Sequence, residues 1–195
     1  NEQLKFFMVA DRFMFNNGEL EDYEDMYAEF DKYLAEALVE VEKKAEPFAV
    51  EFAKKHWNDE MHYFVGAGNQ WGATYSYAMC YWEEQLWLKT KSITSNEFFH
   101  GMFEIVTKET PVTIYIGEDA QRPLSERVAN FIPRICENYT IIDSKDYELK
   151  GISEKYRKHL SHHVMHAVNN RIDVHMEIET SHPMEIRRYY RRLEY

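Results

Sequence analysis

The feature that most constrains the fold of this chain is an alternation of short apolar runs with longer amphipathic stretches. The clearest run is Val112–Ile116, rich in β-branched residues and bounded by Pro111 and Gly117. Such runs predict buried strands, and the longer stretches have helical spacing. The expected strands are 62–65, 92–95, 112–116 and 140–143, and the expected helices are 74–88, 123–136 and 153–179. The pattern predicts an α/β fold, a three-layer sandwich with a parallel sheet flanked by helices.

Long helical segments precede the expected sheet. Residues 20–44 have apolar side chains at spacings of three and four, with acids at most other positions, which predicts a long helix with an acidic solvent face. Pro47 lacks an amide donor, so we expect a second helix to start there and run to about residue 55. Residues 1–15 are heavily apolar and end at an Asn-Asn-Gly turn, which predicts a buried helix.

The composition limits the classes of function. The chain has 34 acidic and 23 basic side chains and a formal charge of −11, which argues against a nucleic-acid partner. Its two cysteines are too few for a disulfide scaffold and are ordinary in a reducing cytoplasm. No apolar run approaches the roughly 20 residues of a membrane helix. We therefore expect a cytoplasmic protein that binds neither nucleic acid nor membrane.

A glycine turn follows the first expected strand. Gly66, Gly68 and Gly72 stand where glycines let a backbone approach a phosphate at a helix N-terminus. For a dinucleotide site, however, the third glycine is one place late, and no acid ends the next strand. A Walker-type loop is excluded because no Gly-Lys-Ser/Thr follows. Glycines that only permit a tight turn are about as well supported as any ligand role.

Two residues have the chemistry of proton transfer. The aromatic stretch 77–87 contains the adjacent acids Glu83 and Glu84. Helix neighbours point about 100° apart, so at most one of the two acids can face solvent while the other is pressed toward protein. Aromatic surroundings disfavour a charged carboxylate and so produce a base useful near neutral pH. His100 follows Glu84 by 16 residues. On residue types alone, a buried glutamate is more often satisfied by an arginine or a backbone amide than catalytic.

At these residues the sequence resembles the sugar isomerase (SIS) domain family. The shared features are a strand, a Gly-x-Gly turn, a helix ending in Glu84, and a Glu-x-x-His-Gly motif at 97–101. Within the family the chain looks most like the fructosamine-6-phosphate deglycases. The features that it shares with them are Phe98-Phe99-His100-Gly101, Gly117-Glu118-Asp119, His182-Pro183 and the Arg-Arg-Tyr-Tyr-Arg-Arg run at 187–192. The resemblance covers about residues 46–195 and implies a flavodoxin-like sheet.

The resemblance implies an enzyme that cleaves a 6-phosphorylated Amadori product to glucose 6-phosphate and a free amine, with neither cofactor nor metal. It implies Glu84 as the base for a proton shift between C1 and C2. It also implies His100 as the general acid, reaching the site of a neighbouring subunit in a homodimer. A synthase of this family has a lysine where this chain has Tyr81, which favours a deglycase. The alternatives are an aldose-ketose phosphosugar isomerase, an aminosugar synthase-type enzyme, or a non-catalytic sugar-phosphate sensor.

The family normally carries two SIS halves in one chain, with the sugar-phosphate loop in the first. The resemblance then implies that 1–17 is a remnant of a preceding SIS half, 18–58 are linking helices, and 59–195 are the second SIS domain. In this half, Gly68 and Asn69 are expected to be minor substrate contacts, because hydroxyl side chains are missing there. Arg188 is the expected sugar contact, and most arginines of 187–192 are expected to pair with the acidic segment 22–46.

Four histidines fall on the last expected helix at spacings of three and four: His159, His162, His163 and His166. Two pairs of this kind could each present an edge to a metal ion. No cysteine accompanies them, and no glutamate stands in the HExxH position. We therefore expect them to pack against other helices or at a subunit interface, with metal binding as the alternative.

Overall fold

The computed structural model describes residues 2–194, so the expectations for Asn1 and Tyr195 lie outside the described residues. Four parallel strands form one sheet in the order β2-β1-β3-β4. They are β1 (His62–Gly66), β2 (Thr90–Thr94), β3 (Val112–Ile116) and β4 (Tyr139–Asp143). Each lies within two residues of a strand expected from the sequence. The predicted α/β class is confirmed.

Helices cover both faces of the sheet. They are α1 (Glu2–Asn16), α2 (Tyr23–Glu29), α3 (Ala35–His56), α4 (Asn69–Ser76), α5 (Met102–Ile105), α6 (Arg122–Phe131), α7 (Glu154–Arg157) and α8 (Ser161–Thr180). One π-helical turn, Phe30–Leu34, joins α2 to α3, and another, Tyr77–Glu83, continues α4. Short 3-10 turns occur at Phe98–His100, Ile132–Arg134 and Ser144–Asp146. Within residues 2–194, none of the helices combines the length and apolarity that crossing a bilayer requires.

The two faces of the sheet have separate cores. Phe64 and Tyr115 point into the core formed by α3, the π turn after α4, and α8. Val65 and Ile114, one residue away on the same strands, point into the core formed with α5 and α6. Successive side chains of a strand alternate between faces, so this pattern explains why all five residues of β3 are buried. A parallel sheet covered on both sides requires such continuous apolar strands.

The helix break expected at Pro47 is wrong. The chain is helical without interruption from Tyr23 to His56, and Pro47 lies inside α3. A proline in a helix interior removes one hydrogen bond and costs about 3 kcal/mol. Packing offsets this cost, because α3 lies along α8 with Ala45 and Ala49 fully buried on either side of the proline.

The last helix starts later than expected, because a turn separates α7 from α8. Arg157, the last residue of α7, donates to both carboxylate oxygens of Glu118 at 2.7 and 2.8 Å. It also donates to the backbone carbonyls of Ser144 and Tyr147. Ser161, which opens α8, accepts a hydrogen bond from the Glu118 amide at 2.8 Å. The end of α7 and the start of α8 therefore both bind Glu118, in the loop that follows β3.

The first helix packs on the same core as α2 and α8. Its inner side chains Leu4, Phe7, Met8 and Phe15 contact the buried residues of that core. The opposite side exposes Phe6, Val9 and Phe13. Helix α1 is therefore buried on one side only, and its outer surface is apolar.

Two buried hydrogen bonds lie within the core on the α8 side of the sheet. The Tyr77 hydroxyl donates to Asp173 Oδ1 at 2.7 Å, and the Tyr115 hydroxyl donates to Asn169 Oδ1 at 3.0 Å. Burial raises the pKa of the Asp173 carboxyl to about 7. A neutral acid at this position satisfies the tyrosine without placing a charge in the core.

This carboxyl should make the wild-type protein less stable as pH rises from 4 toward 8. In the unfolded chain Asp173 ionises near pH 3.8, whereas the folded protein holds its proton until about pH 7. Between these values the unfolded state binds fewer protons, so the free energy of unfolding falls as pH increases. Asp173→Asn keeps the acceptor for Tyr77 and removes the titration. Its stability relative to wild type should rise over this range, by on the order of a few kcal/mol.

Urea unfolding at pH 5, 6, 7 and 8 measures this change. Asp31→Asn, which alters an exposed aspartate of the helical run 23–56, is the matched control and should show no such trend. A difference between Asp173→Asn and wild type that stays constant with pH would contradict the raised pKa.

Candidate active site

Glu84 lies directly after the π-helical turn that continues α4. Its backbone amide donates to the carbonyl of Met79, five residues back, at 3.0 Å. A π turn changes the direction of the side chains that follow it and is frequent at functional sites. Trp82, within the turn, is fully buried, and Glu83 accepts a hydrogen bond from the Thr90 hydroxyl at 2.5 Å. The core and β2 therefore hold the helix end that carries Glu84.

Glu84 lines an open cleft of about 520 Å³ near the amino ends of the strands. The cleft is bounded by Met61, Glu83, Glu84, Trp87, Leu88, Lys89, Thr90 and the C-terminal residues Arg187, Arg188, Tyr189 and Tyr190. Glu83 is exposed, whereas the Glu84 side chain is only 35% exposed. The cleft is large enough for a small-molecule ligand.

Arg187 pairs with Glu84 across 103 positions of sequence. Its Nε donates to Glu84 Oε1 at 2.8 Å, and its Nη1 donates to the backbone carbonyls of Met184 and Ile186. These bonds fix the position of one carboxylate oxygen. In the described part of the chain, Oε2 of this partly exposed side chain has no hydrogen-bond partner.

The expected pairing of Arg187 with the acidic segment 22–46 is wrong. The acids at the two ends of that segment, Asp22 and Glu46, pair with Lys155, Arg171 and His175. Glu24 of the same segment pairs with Arg12 of α1. The cations that pair with the segment thus come from α1, α7 and α8, while the tail folds back over the end of the π-helical turn that continues α4. Sequence analysis missed the Arg187–Glu84 pair because no periodicity in the tail signals this path.

Trp87 forms the wall of the cleft and is held by the tail. The His182 ring lies 4.0 Å from the Trp87 ring, and His182 Nε2 lies 3.0 Å from the Gln85 carbonyl oxygen. On the cleft side, the Arg188 guanidinium lies 4.1 Å from the centre of the Trp87 ring. Trp87 has φ of 61°, a left-handed conformation that a bulky residue adopts only where its surroundings impose it. Contacts with His182 and Arg188 therefore fix the tail against the segment that follows the π-helical turn.

His100 lies beyond the carboxyl end of β2, whereas Glu84 lies before its amino end. His100 ends the 3-10 turn Phe98–His100, which follows β2, and its side chain is exposed while Phe98 is fully buried. Glu84 precedes β2, so the five-residue strand, about 13 Å long, separates the two residues. A single chain does not bring Glu84 and His100 into one site.

The glycine turn after β1 already holds an acidic group. The Asn69 amide donates to Asp119 Oδ2 at 2.7 Å, and the Gln121 amide donates to Asp119 Oδ1 at 2.8 Å. Gly68 has φ of +56°, and a Cβ there would lie 2.5 Å from Asp119 Oδ1. Helix α4 starts here and not at residue 74 as expected, because Asp119 supplies the anion that its N-terminus attracts. A phosphate at Gly68 and Asn69 would meet this carboxylate.

Three donors of the kind that bind metals converge at the start of β1. Nδ1 of His56 and Nδ1 of His62 lie 2.7 and 2.8 Å from the same oxygen of Asp59, and His62 Nε2 lies 2.8 Å from the Thr113 hydroxyl. Burial opposes ionisation of Asp59, but the two imidazole hydrogen bonds hold its pKa below the ordinary value. All of these separations are ordinary hydrogen-bond distances. Both Nδ1 atoms are thus already engaged with Asp59, whereas the buried His56 Nε2 has no hydrogen-bond partner among the described residues.

The histidines near the start of α8 pack as neutral rings. His162 and His163 have ring centres 3.9 Å apart, and burial lowers their pKa values to about 4 and about 3. His159 lies in the turn before the helix, where its ring contacts Phe7. Within residues 2–194, the group His56, Asp59 and His62 is the one set of three such donors that converges, and none of the four histidines belongs to it.

Comparisons with known proteins concern the family of the chain. No model of a protein family matches the chain. It is 32% identical over 147 residues to fructosamine deglycase FrlB of Bacillus subtilis (strain 168), covering 75% of this chain and 45% of that protein. It is 29% identical over 130 residues to fructoselysine 6-phosphate deglycase of Escherichia coli (strain K12), covering 67% and 37%.

A solved structure described as a phosphosugar isomerase from Bacillus subtilis superposes with a TM-score of 0.84 at 29% identity, over 89% of this chain and 53% of that one. The chain thus spans less than half the length of either curated relative. Sequence and fold nevertheless point to the same group of proteins. The chain belongs to the sugar isomerase (SIS) domain family and, within it, is similar to the fructosamine and fructoselysine 6-phosphate deglycases.

Proposed function

We propose that this chain carries the base of a phosphosugar deglycase, which cleaves a 6-phosphorylated Amadori product to glucose 6-phosphate and a free amine. The observation that carries the proposal is Glu84, a partly exposed carboxylate that Arg187 holds at the opening of a ligand-sized cleft. A positioned carboxylate is the group that proton abstraction from carbon requires. The names of the two deglycase relatives support the choice of substrate class.

The reaction uses Glu84 to move one proton. Glu84 Oε2 takes a proton from C1 of the open-chain ketosamine, the electron pair of that C–H bond forms the C1=C2 bond, and the C2 carbonyl oxygen takes a proton from His100 to give the enaminol. Glu84 then returns its proton to C2 while the nitrogen gives its proton back to His100, which leaves the imine of glucose 6-phosphate. Water then adds to C1, the C1–N bond breaks, and the amine leaves with a proton from the general acid, His100. Arg187 keeps Oε1 engaged, so that Oε2 faces the substrate.

The complete active site also requires a general acid and a phosphate-binding site, which this cleft does not contain. Because Glu84 and His100 lie at opposite ends of β2, we propose that each site combines Glu84 of one subunit with His100 of a second copy in a homodimer. Because Asp119 fills the glycine turn, the phosphate would be held by a preceding SIS half, of which residues 1–17 are the predicted remnant. The apolar outer surface of α1 is consistent with such a neighbour. Cytoplasmic location remains an expectation.

Replacing Glu84 by Gln should reduce turnover by roughly 100- to 10,000-fold, because the variant keeps the shape of the side chain but has no base. Glu36→Gln, the same change at an exposed glutamate of α3 that does not line the cleft, should retain the activity. The measurement is release of glucose 6-phosphate from fructoselysine 6-phosphate by the full-length protein. Circular dichroism and size-exclusion chromatography serve as folding controls.

Other outcomes separate the alternatives. Full turnover by Glu84→Gln would remove Glu84 from the mechanism. A wild-type protein that binds the Amadori compound without releasing sugar would be a sensor. One that interconverts aldose and ketose phosphates but leaves the amine attached would be an isomerase.

Mixing two inactive variants tests the shared site. In a mixed dimer of Glu84→Gln and His100→Asn subunits, one site carries both changes and the other carries neither. Random mixing makes half of the dimers mixed, so about a quarter of wild-type activity should return. Each variant alone should remain inactive. If no activity returns after subunit exchange has been verified, Glu84 and His100 do not combine across a dimer.

A further inference from the structure

Two imidazoles and a carboxylate meet at the junction of α3 and β1. Nδ1 of His56, the last residue of α3, and Nδ1 of His62, the first residue of β1, lie 2.7 and 2.8 Å from Asp59 Oδ2. The three donor atoms all lie within 4.8 Å of one another. In the sequence they form a His-x-x-Asp-x-x-His motif, and ligands separated by a few residues along a short loop are typical of metal sites. The junction is therefore a candidate metal site.

The negative charge of Asp59 is held by histidines that burial keeps from carrying a positive charge. The side chain of Asp59 is only 14% exposed, and its hydrogen-bond partners in the described part of the chain are the two imidazoles. His62 is fully buried and His56 nearly so, and burial disfavours the charged form of an imidazole. The neighbouring Lys55 is exposed and makes no hydrogen bond to this carboxylate. A largely buried carboxylate is stable when an opposite charge lies beside it, and a divalent cation supplies that charge.

Both rings can turn the lone pair of Nδ1 toward an ion. His62 Nε2 lies 2.8 Å from the hydroxyl of Thr113, which can accept a hydrogen bond as well as donate one. Metal-bound imidazoles usually donate their other N–H to such an oxygen, which fixes the ring. His56 Nε2 has no hydrogen-bond partner among residues 2–194. Outside their contacts with Asp59, therefore, nothing in this part of the chain requires either ring to keep its proton on Nδ1.

Aromatic rings enclose the two imidazoles and leave the carboxylate at the open side. The Phe52 ring centre lies 4.6 Å from the first imidazole, and those of Phe64 and Trp82 lie 4.6 and 4.7 Å from the second. An apolar shell of this kind restricts water and strengthens the attraction between an ion and its ligands. Asp59 lies in the turn between the helix and the strand. It is therefore the ligand that can move outward by the roughly 0.6 Å needed to reach the spacing of ligands around a zinc ion, about 3.4 Å.

From this geometry we propose that His56, Asp59 and His62 bind one zinc ion in a structural role. Two imidazoles and one carboxylate are a ligand set that zinc accepts, and water entering on the side of the carboxylate completes the coordination. The ion joins the end of α3 to the first strand of the sheet. The site is independent of the proposed reaction, because none of its three ligands lines the cleft at Glu84.

Zinc binding by the full-length, untagged protein tests the site. The protein is treated with a chelator, dialysed and titrated with zinc chloride in a calorimeter. We expect Asp59→Asn, which keeps the shape of the side chain but removes its charge, to weaken zinc binding by about 100-fold. His162→Gln, a change in the histidine group of α8, is the control and should leave the affinity unchanged. Circular dichroism checks that both variants are folded.

Two measurements on the wild type do not depend on how the variants fold. X-ray absorption at the zinc edge should show two imidazole ligands and no sulfur, and excess zinc should raise the Tm by about 5 °C. A wild type that binds no zinc, or whose Tm zinc does not raise, overturns the metal site. A coordination shell that contains sulfur, or a number of imidazoles other than two, also overturns it. Zinc binding that Asp59→Asn leaves intact or that His162→Gln removes places the ion elsewhere and has the same consequence.

Discussion

A parallel sheet must be covered on both faces, and the packing of α8 along α3 over one face is the contact on which the rest of this structure depends. It keeps α3 helical through Pro47, since Ala45 and Ala49 are buried against neighbouring elements. The tail that follows α8 lies beside the end of the π-helical turn that continues α4. The cleft at Glu84 lies between that turn and the tail.

The chain as a whole is strongly acidic, whereas the cleft at Glu84 is lined by three basic side chains. Acids of the segment before the sheet pair with cations of α1, α7 and α8, and the tail residue Arg187 pairs elsewhere. Arg187 orients the carboxylate of Glu84. A net charge of −11 therefore argues against nucleic acid but does not prevent this chain from holding an anionic ligand at a local site.

The parts of the fold that follow local rules could be predicted from the sequence. The strands were found because β-branched and apolar runs report burial directly, as in Val112–Ile116. The break at Pro47 was wrong because tertiary packing overrides a local preference. The turn before α8 was missed because it depends on Arg157 and Glu118, which meet only in the folded chain.

The candidate site also has features that the sequence indicates and features that only the folded chain shows. Residue types alone give only a weak signal for Glu84 and His100, and the resemblance to a known family is what singles them out. Strand β2 lies between them in the chain and keeps them apart. The pairing of Glu84 with Arg187 and the stack on Trp87 depend on the path of a tail without periodicity, so no local pattern predicts them.

The carboxylate of Asp119 in the glycine turn has a further consequence. Because this acceptor is attached to the chain and held by two backbone amides, it is present at the helix end at a high effective concentration. An open turn of this kind would be occupied in part by the inorganic phosphate of its surroundings, whereas this turn carries its anion permanently. Dissolved phosphate would therefore have to displace Asp119 before it could bind the amide of Asn69.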